Sequence, residues 1–290
     1  MTSDATQLML PMKNTPLRPR AWRALLETDD AVVVEVEGGQ MALVPQHGQV
    51  RLYYAFADIE AMRTLFADLF EALREDIPGY QADYLAIDLV SAGNRDWLDP
   101  TLQTADFVQF AEWMEMTRPE LDPAPPQFPD GVSMRRAADG DLDRIRAISA
   151  EAFGELGDGP LALESHLQAE TWTGVLLRDD EVVAFAINGA VESGEGHILS
   201  AAVAPEARGA GYGKLVLAAA AYQFSTQDAA RATITVRPDI RQSLRTCTDL
   251  GFRPGRAGIE YRRPVDESII AERREVAQFA GTKARYGNWR

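Results

Sequence analysis

The stretch Val203–Leu215, VAPEARGAGYGKL, decides how this chain is read. Gly209, Gly211 and Gly213 fall within five positions, with Arg208 in front and Lys214 behind. A strand pattern, EGHILSAAV, leads in, and an alanine-rich helix pattern, YGKLVLAAAAYQFSTQD, leads out. Glycines at a strand-to-helix turn let a ligand approach the backbone closely. The unpaired N–H groups of the first helical turn then favour an anion, typically a pyrophosphate.

Spacing separates the ways of using such a turn. A P-loop needs Ser or Thr after its Gly-Lys pair, but Leu215 follows Gly213-Lys214, and Arg208 stands where the first glycine belongs. A dinucleotide fingerprint fits Gly209 and Gly211, yet Lys214 occupies its third glycine, and Ala204–Arg208 separate strand from loop. The remaining pattern, V-x-P-x-x-R-G-x-G-Y-G, resembles the coenzyme A signature [QR]-x-x-G-x-[GA] of the GNAT N-acetyltransferases. Arg208, Gly211 and Gly213 stand at its fixed positions.

The order of elements around the loop also resembles that family. After the proline-rich RPELDPAPPQFPDG, an extended linker in its composition, GVSMRRA reads as a strand. A helix follows with Asp141 as N-cap and Leu142, Ile145, Ile148 and Phe153 on one face. GPLALESHLQAETW reads as a second helix. GVLLRDDEVVAFAING reads as a hairpin turning at Asp179-Asp180. Beyond the loop helix come the strand ATITV, a helix stopped by Gly251, and the strand AGIEYRR. The N-terminal half repeats part of this order: the hairpin AVVVEVEGGQMALVPQ, the strand QVRLYYAF, the helix DIEAMRTLFADLFEALRED, the strand YLAIDLV, the helix NRDWLDPTLQTADF and the strand VQFAEWMEMT. Its counterpart of the loop, YYAFADIEAM, has no glycine, and Asp58 and Glu60 stand at the helix start.

The resemblance implies an α+β fold of two GNAT-like domains in tandem, each a mixed, mostly antiparallel sheet flanked by helices. Residues 1–128 are expected to form a degenerate domain without a coenzyme A site. Residues 129–264 are expected to form the acetyltransferase domain, and 265–290 a C-terminal helix and tail. The implied activity is transfer of an acetyl group from acetyl-CoA to an amine of a small molecule or peptide by direct attack. A coenzyme A-binding sensor without catalysis is the alternative. Pantetheine is expected along Ala201, Ala202 and Val203, with an N–H of Ala202 or Val203 polarising the thioester carbonyl. Pyrophosphate is expected on Arg208, Gly209, Ala210, Gly211, Tyr212, Gly213 and Lys214. Six residues before Val203, where many members carry a glutamate base, stands His197. Imidazole's ordinary pKa of about 6.5 suits a base near neutrality. Glu195, on the same alternating face, is the reserve. Where the family has a tyrosine acid, five residues before Phe252, stands Cys247. Its helical spacing with Ile240 and Leu244 equally makes it a core residue.

Composition limits the rest. Hydrophobic residues at 46% and charged residues at 25% are the balance of a globular protein. The single cysteine excludes an intramolecular disulfide, and with three histidines no metal site is expected. The formal charge of -15 is uneven: residues 1–130 carry 9 basic and 22 acidic side chains, the remainder 20 and 22. That surplus of carboxylates argues against nucleic acid as a partner. With no long apolar run and no basic-then-apolar leader, neither a membrane span nor a secretory signal is expected. A cytoplasmic monomer or homodimer is the expectation.

Overall fold

The computed structural model describes residues 10–15, 17, 19–46, 49–90, 98–154, 160–168 and 172–272. The chain divides into two compact units: Met1–Ala111 with Ile259–Arg290, and Glu112–Gly258.

Unit 1 contains β1 (Met12–Lys13), α1 (Pro19–Leu26), β2 (Val32–Val36), β3 (Gly39–Gln46), β4 (Gln49–Phe56), α2 (Ile59–Arg74), β5 (Tyr84–Val90) and α3 (Asp99–Thr104). It also takes the first residues of β6 (Val108–Arg118) and the last of β12 (Arg253–Pro264). β2, β3 and β4 form an antiparallel meander, and β5 joins β4 in parallel. Met62, Phe66, Leu69, Phe70 and Leu73 recur at helical spacing in α2 and are buried. They share a core with Met41 and Leu43 of β3 and with Leu52, Tyr54 and Phe56 of β4, alternate residues of one sheet face. On the other face Trp22 of α1 is buried beside Ala55, and its Nε1 donates to Gln40 Oε1 at 2.8 Å. Neither β1 nor α1 was among the sequence expectations. β1 has two residues and α1 eight, too short for a periodic signal to stand out.

Unit 2 contains the rest of β6, β7 (Val132–Arg136), α4 (Leu142–Phe153), α5 (Pro160–Gln168), β8 (Trp172–Arg178), β9 (Glu181–Glu192), β10 (Glu195–Val203), α6 (Tyr212–Ser225), β11 (Arg231–Val236), α7 (Arg241–Asp249) and the start of β12. Its ladder runs β7-β8-β9-β10-β11-β6, antiparallel except for β10–β11. This is the expected order of elements, in an α+β unit with a mixed, mostly antiparallel sheet. Asp179 and Asp180 both have positive φ, 50° and 67°, which matches the twist of a two-residue hairpin. The core gathers Ile145 and Ile148 from α4, Phe185 and Ile187 from β9, and Val216, Ala220 and Phe224 from α6. Gly196 lets α6 lie close on β10, since a Cβ there would stand 2.3 Å from the Phe224 ring.

Three expectations need correction. The units do not divide at 128 or at 264. Met114–Arg118 pair with β11 and so belong to unit 2, although the proline-rich stretch begins only at Arg118. Ile259, Tyr261 and Val265 pack in the unit 1 core. Tyr261 Oη donates to Asp99 Oδ1 at 2.5 Å, so the end of β12 and residues 265–272 belong there. Asp141 stands at the N-cap of α4, but its carboxylate does not cap that helix. It turns back to accept from Ala138 N at 2.7 Å and to pair with Arg135 at 2.6 and 2.9 Å. That pairing holds the carboxyl below the usual carboxylate range. The expected tail helix is present at 267–272, and the remainder of 265–290 lies outside the described residues. Parts of NRDWLDPTLQTADF and GPLALESHLQAETW lie outside them as well.

Candidate functional site

The site follows from a parallel pair that starts and then parts. β10 and β11 pair only from Glu195–Arg231 to Ile198–Ile234, although β10 continues to Val203 and β11 to Val236. Thr235 and Val236 remain paired to β6 on their other side. Among the described residues, Ser200–Val203 therefore keep β9 on one edge and have no strand on the other. Ala204 N–H donates to Val183 O at 2.9 Å. By the two-residue alternation of an antiparallel ladder, the groups of Ala202 then face β9, and those of Ala201 and Val203 face the opening. This corrects the expectation for Ala202: its N–H is turned away and its residue is buried.

The glycine loop closes the open end. Gly209 and Gly211 both have φ of 85°, a left-handed conformation that favours glycine, and Gly211 is the N-cap of α6. A Cβ on either would meet no protein atom within 4 Å, so the loop surface is bare on its outer side. Among the described residues, the N–H groups of Gly209, Ala210, Gly211, Tyr212 and Gly213 have no backbone partner, and the first intrahelical bonds begin at Lys214 and Leu215. Five donors at one helix start form a site for an anion. The Arg208 and Lys214 side chains are exposed there, and Arg208 Nε donates to Val203 O at 3.3 Å. Tyr212 sends its ring into the core, so only its N–H faces the loop.

The expected base lies on the paired part of β10. His197 is half-buried opposite Thr233, with Nδ1 and Thr233 Oγ1 2.9 Å apart. Thr233 Oγ1 also lies 3.5 Å from Glu195 Oε1 and 3.4 Å from Gly196 O. Glu195 is held by an ion pair with Arg231. Glu195, Thr233 and His197 thus form one chain of polar side chains on a single sheet face. The hydroxyl of Thr233 has one proton to give. If it goes to Glu195 or Gly196, Nδ1–H of His197 donates to Thr233, and Nε2 is left as the acceptor. Sequence reading missed Thr233. Alternation marks its face, but only the register of the parallel pair brings it to His197.

Cys247 is a core side chain. It is 1% exposed, packs in the same cluster as Ala220, Phe224 and Phe252, and burial pushes its thiol up to about 11. Protonating a thiolate of ordinary pKa, about 8.5, from such a thiol runs uphill.

Unit 1 carries the corresponding elements with different chemistry. β4 and β5 pair only at Val50–Leu85 and Arg51–Ala86. Arg51, in the last pair of that register, is paired to Asp88 and donates to Gln49 Oε1 at 3.0 Å. At the helix start, Asp58 is the N-cap, and its carboxylate accepts from Ala61 N at 2.8 Å. A carboxylate therefore sits where an anion would dock. Among the described residues no three His, Cys, Asp or Glu gather as a metal site, and no helix is long and apolar enough to cross a membrane.

Comparison with known proteins bears on the fold. Residues 142–252 match the model of the Acetyltransferase (GNAT) family. The mycothiol acetyltransferase of Streptomyces avermitilis is 28% identical over 172 residues, 55% of this chain and 56% of that protein. The chain thus spans about half the length of the curated relative it matches. The GCN5-related N-acetyltransferase from Sphaerobacter thermophilus superposes with a TM-score of 0.58 at 16% identity, over 85% of this chain and 84% of that one. A tandem GNAT protein from the clavulanic acid biosynthesis pathway reaches 0.57 at 13% identity, over 91% and 96%. Such identities show the fold, and the tandem structure's coverage takes in both units.

Proposed function

We propose that this chain, whose residues 142–252 match the model of the Acetyltransferase (GNAT) family, transfers an acetyl group from acetyl-CoA to an amine, using unit 2 alone. One observation supports this above the others: among the described residues, the unpaired edge of Ser200–Val203 leads, through the turn at Pro205–Ala207, to five N–H groups without a backbone partner at the start of α6. That edge suits an extended amide-bearing arm, and the loop suits a pyrophosphate. The two ligand parts in that order are those of coenzyme A, whose acetyl form supplies the thioester carbonyl.

The chain's own residues do the rest. Ala201 and Val203 offer strand-like hydrogen bonds to the arm, and the Val203 N–H faces the opening as a donor to a developing oxyanion. Arg208 and Lys214 add positive charge to the loop. Arg208 leaves Val203 O when the arm takes that carbonyl. His197 accepts the acceptor ammonium's proton at Nε2 while Thr233 holds Nδ1. Glu195 orders the Thr233 hydroxyl and is itself fixed by Arg231. Cys247 packs the core and gives no proton.

The test is product formation across a panel of amines, with thiol release as the readout. The panel includes peptide N-termini, aminoglycoside-like amines and an amine precursor of a thiol, since one relative is a mycothiol acetyltransferase. Acetylated product that disappears in Gly211→Val supports the proposal. Tight coenzyme A binding with no product from any amine would favour the second reading, a sensor. The observation favouring that reading is the buried Cys247 where the family's acid stands.

A further inference from the structure

Unit 1 has its own splayed strand pair, and the chain itself fills the opening. β4 gives one edge to β3 along its whole length. Ala57 N–H donates to Gly38 O at 3.0 Å, so by alternation Ala55, Tyr53 and Arg51 face β3. The backbone groups of Leu52, Tyr54 and Phe56 face the other way, toward the side that β5 leaves after Arg51. Three consecutive residues, Met12, Lys13 and Asn14, take that place. β1 pairs antiparallel with β4, Met12 opposite Phe56 and Lys13 opposite Ala55. The carboxamide of Asn14 then works as one more peptide unit: Nδ2 donates to Leu52 O at 3.0 Å, and Oδ1 accepts from Tyr54 N at 2.9 Å. Asn14 O accepts from Val90 N of β5 at 3.4 Å, which bridges the two parted strands. Asn14 is 4% exposed, so these bonds are sheltered from water.

We infer that the groove of unit 1 is a peptide slot whose resident ligand is the segment Met12–Asn14. The inference rests on reading the equivalent opening of unit 2 as the seat of an extended, amide-bearing arm. The resident segment makes the strand-like bonds such an arm would make, and the Asp58 carboxylate occupies the helix start where its anion would lie. The slot is specific for an extended peptide with an Asn carboxamide at the third position, because Leu52 O needs a donor where Tyr54 N–H needs an acceptor.

Two measurements test this. In the full-length chain, Asn14→Ala should lower Tm by at least about 4 °C, since two buried backbone groups lose their partners. In the same variant the Tyr54 amide should exchange with solvent at least about ten-fold faster. A chain beginning at residue 18 should bind the synthetic peptide QLMLPMKNTPL, residues 7–17, one to one and regain its lost Tm. The Asn14→Ala peptide should bind at least about ten-fold more weakly, an about 1.4 kcal/mol loss. Unchanged Tm and Tyr54 exchange in full-length Asn14→Ala overturn the inference, whether or not the shortened chain folds. Displacement of the peptide by coenzyme A also overturns it. Acetyl transfer, read separately through Gly211→Val, distinguishes a failure here from a failure of the proposed activity.

Discussion

In the proposed reaction His197 takes a proton at Nε2 only with its Nδ1–H donating to Thr233, and that places the sharpest functional demand on a threonine. His197→Ala should reduce kcat by about 10²–10⁴-fold and remove the fall in rate as pH drops through the imidazole titration. Thr233→Val keeps the shape and removes the hydroxyl. It should lower kcat by about ten-fold or more and leave the coenzyme A KM unchanged, because Thr233 does not face the loop. An unaltered pH–rate profile in His197→Ala, measured where chemistry limits the rate, would pass the base role to Glu195 or water. Cys247 has the opposite profile. Burial pushes its thiol up to about 11, above the ordinary thiol range. A raised pKa on a group neutral when protonated stabilises the fold below about pH 9 and loses that contribution as pH climbs toward 11. Cys247→Ala should therefore flatten the loss of Tm over that window, measured by thermal melts. Cys247→Ser should change kcat by less than about ten-fold.

At the scale of elements, the same strand–turn–helix is built twice with opposite results at the turn. Before α6 the backbone is bare and left-handed at Gly209 and Gly211. Before α2 a carboxylate caps the helix. Gly211→Val forces a β-branched side chain to φ of 85° and points it into the open side of the loop. Coenzyme A affinity should fall at least about 100-fold by calorimetry, with the far-UV spectrum unchanged. Gly196→Ala acts on packing instead. Its Cβ would meet the Phe224 ring at 2.3 Å, so α6 must shift, and stability should fall by about 1–3 kcal/mol in denaturant titration. These elements were legible because they are long and periodic: Met62, Phe66, Leu69, Phe70 and Leu73 in α2, and the alternating β10 that ends at a glycine loop. The parting of β10 from β11 was legible only through the family resemblance. β1 was not legible at all, since two residues have no period and their pairing depends on contacts with Phe56 and Ala55 far along the chain. Asp141 had the right residue type for a cap, but Arg135, six positions earlier, took its carboxylate.

For the whole molecule, sequence order and contact order differ. The sequence places borders at 128 and 264, yet unit 1 is assembled from both ends of the chain and unit 2 from its middle. The reason is strand pairing. Met114–Arg118 bond to β11, and the end of β12 packs with Phe70 and Phe107 in the other core. The repeated order of elements, read with the similar endings LQTADF and CTDLGF, has a counterpart in two parallel pairs that each begin to join and then part. The units differ in what the opening holds among the described residues: N–H groups without a backbone partner and an unpaired edge in unit 2, Asn14 and Asp58 in unit 1. How many coenzyme A molecules one chain binds, and where, therefore separates the roles of the two units. Isothermal titration of the full-length protein should saturate at one coenzyme A per chain, and Gly211→Val should bring that to none. Saturation at two per chain, or a full-strength isotherm in Gly211→Val, would contradict a site in unit 2 alone.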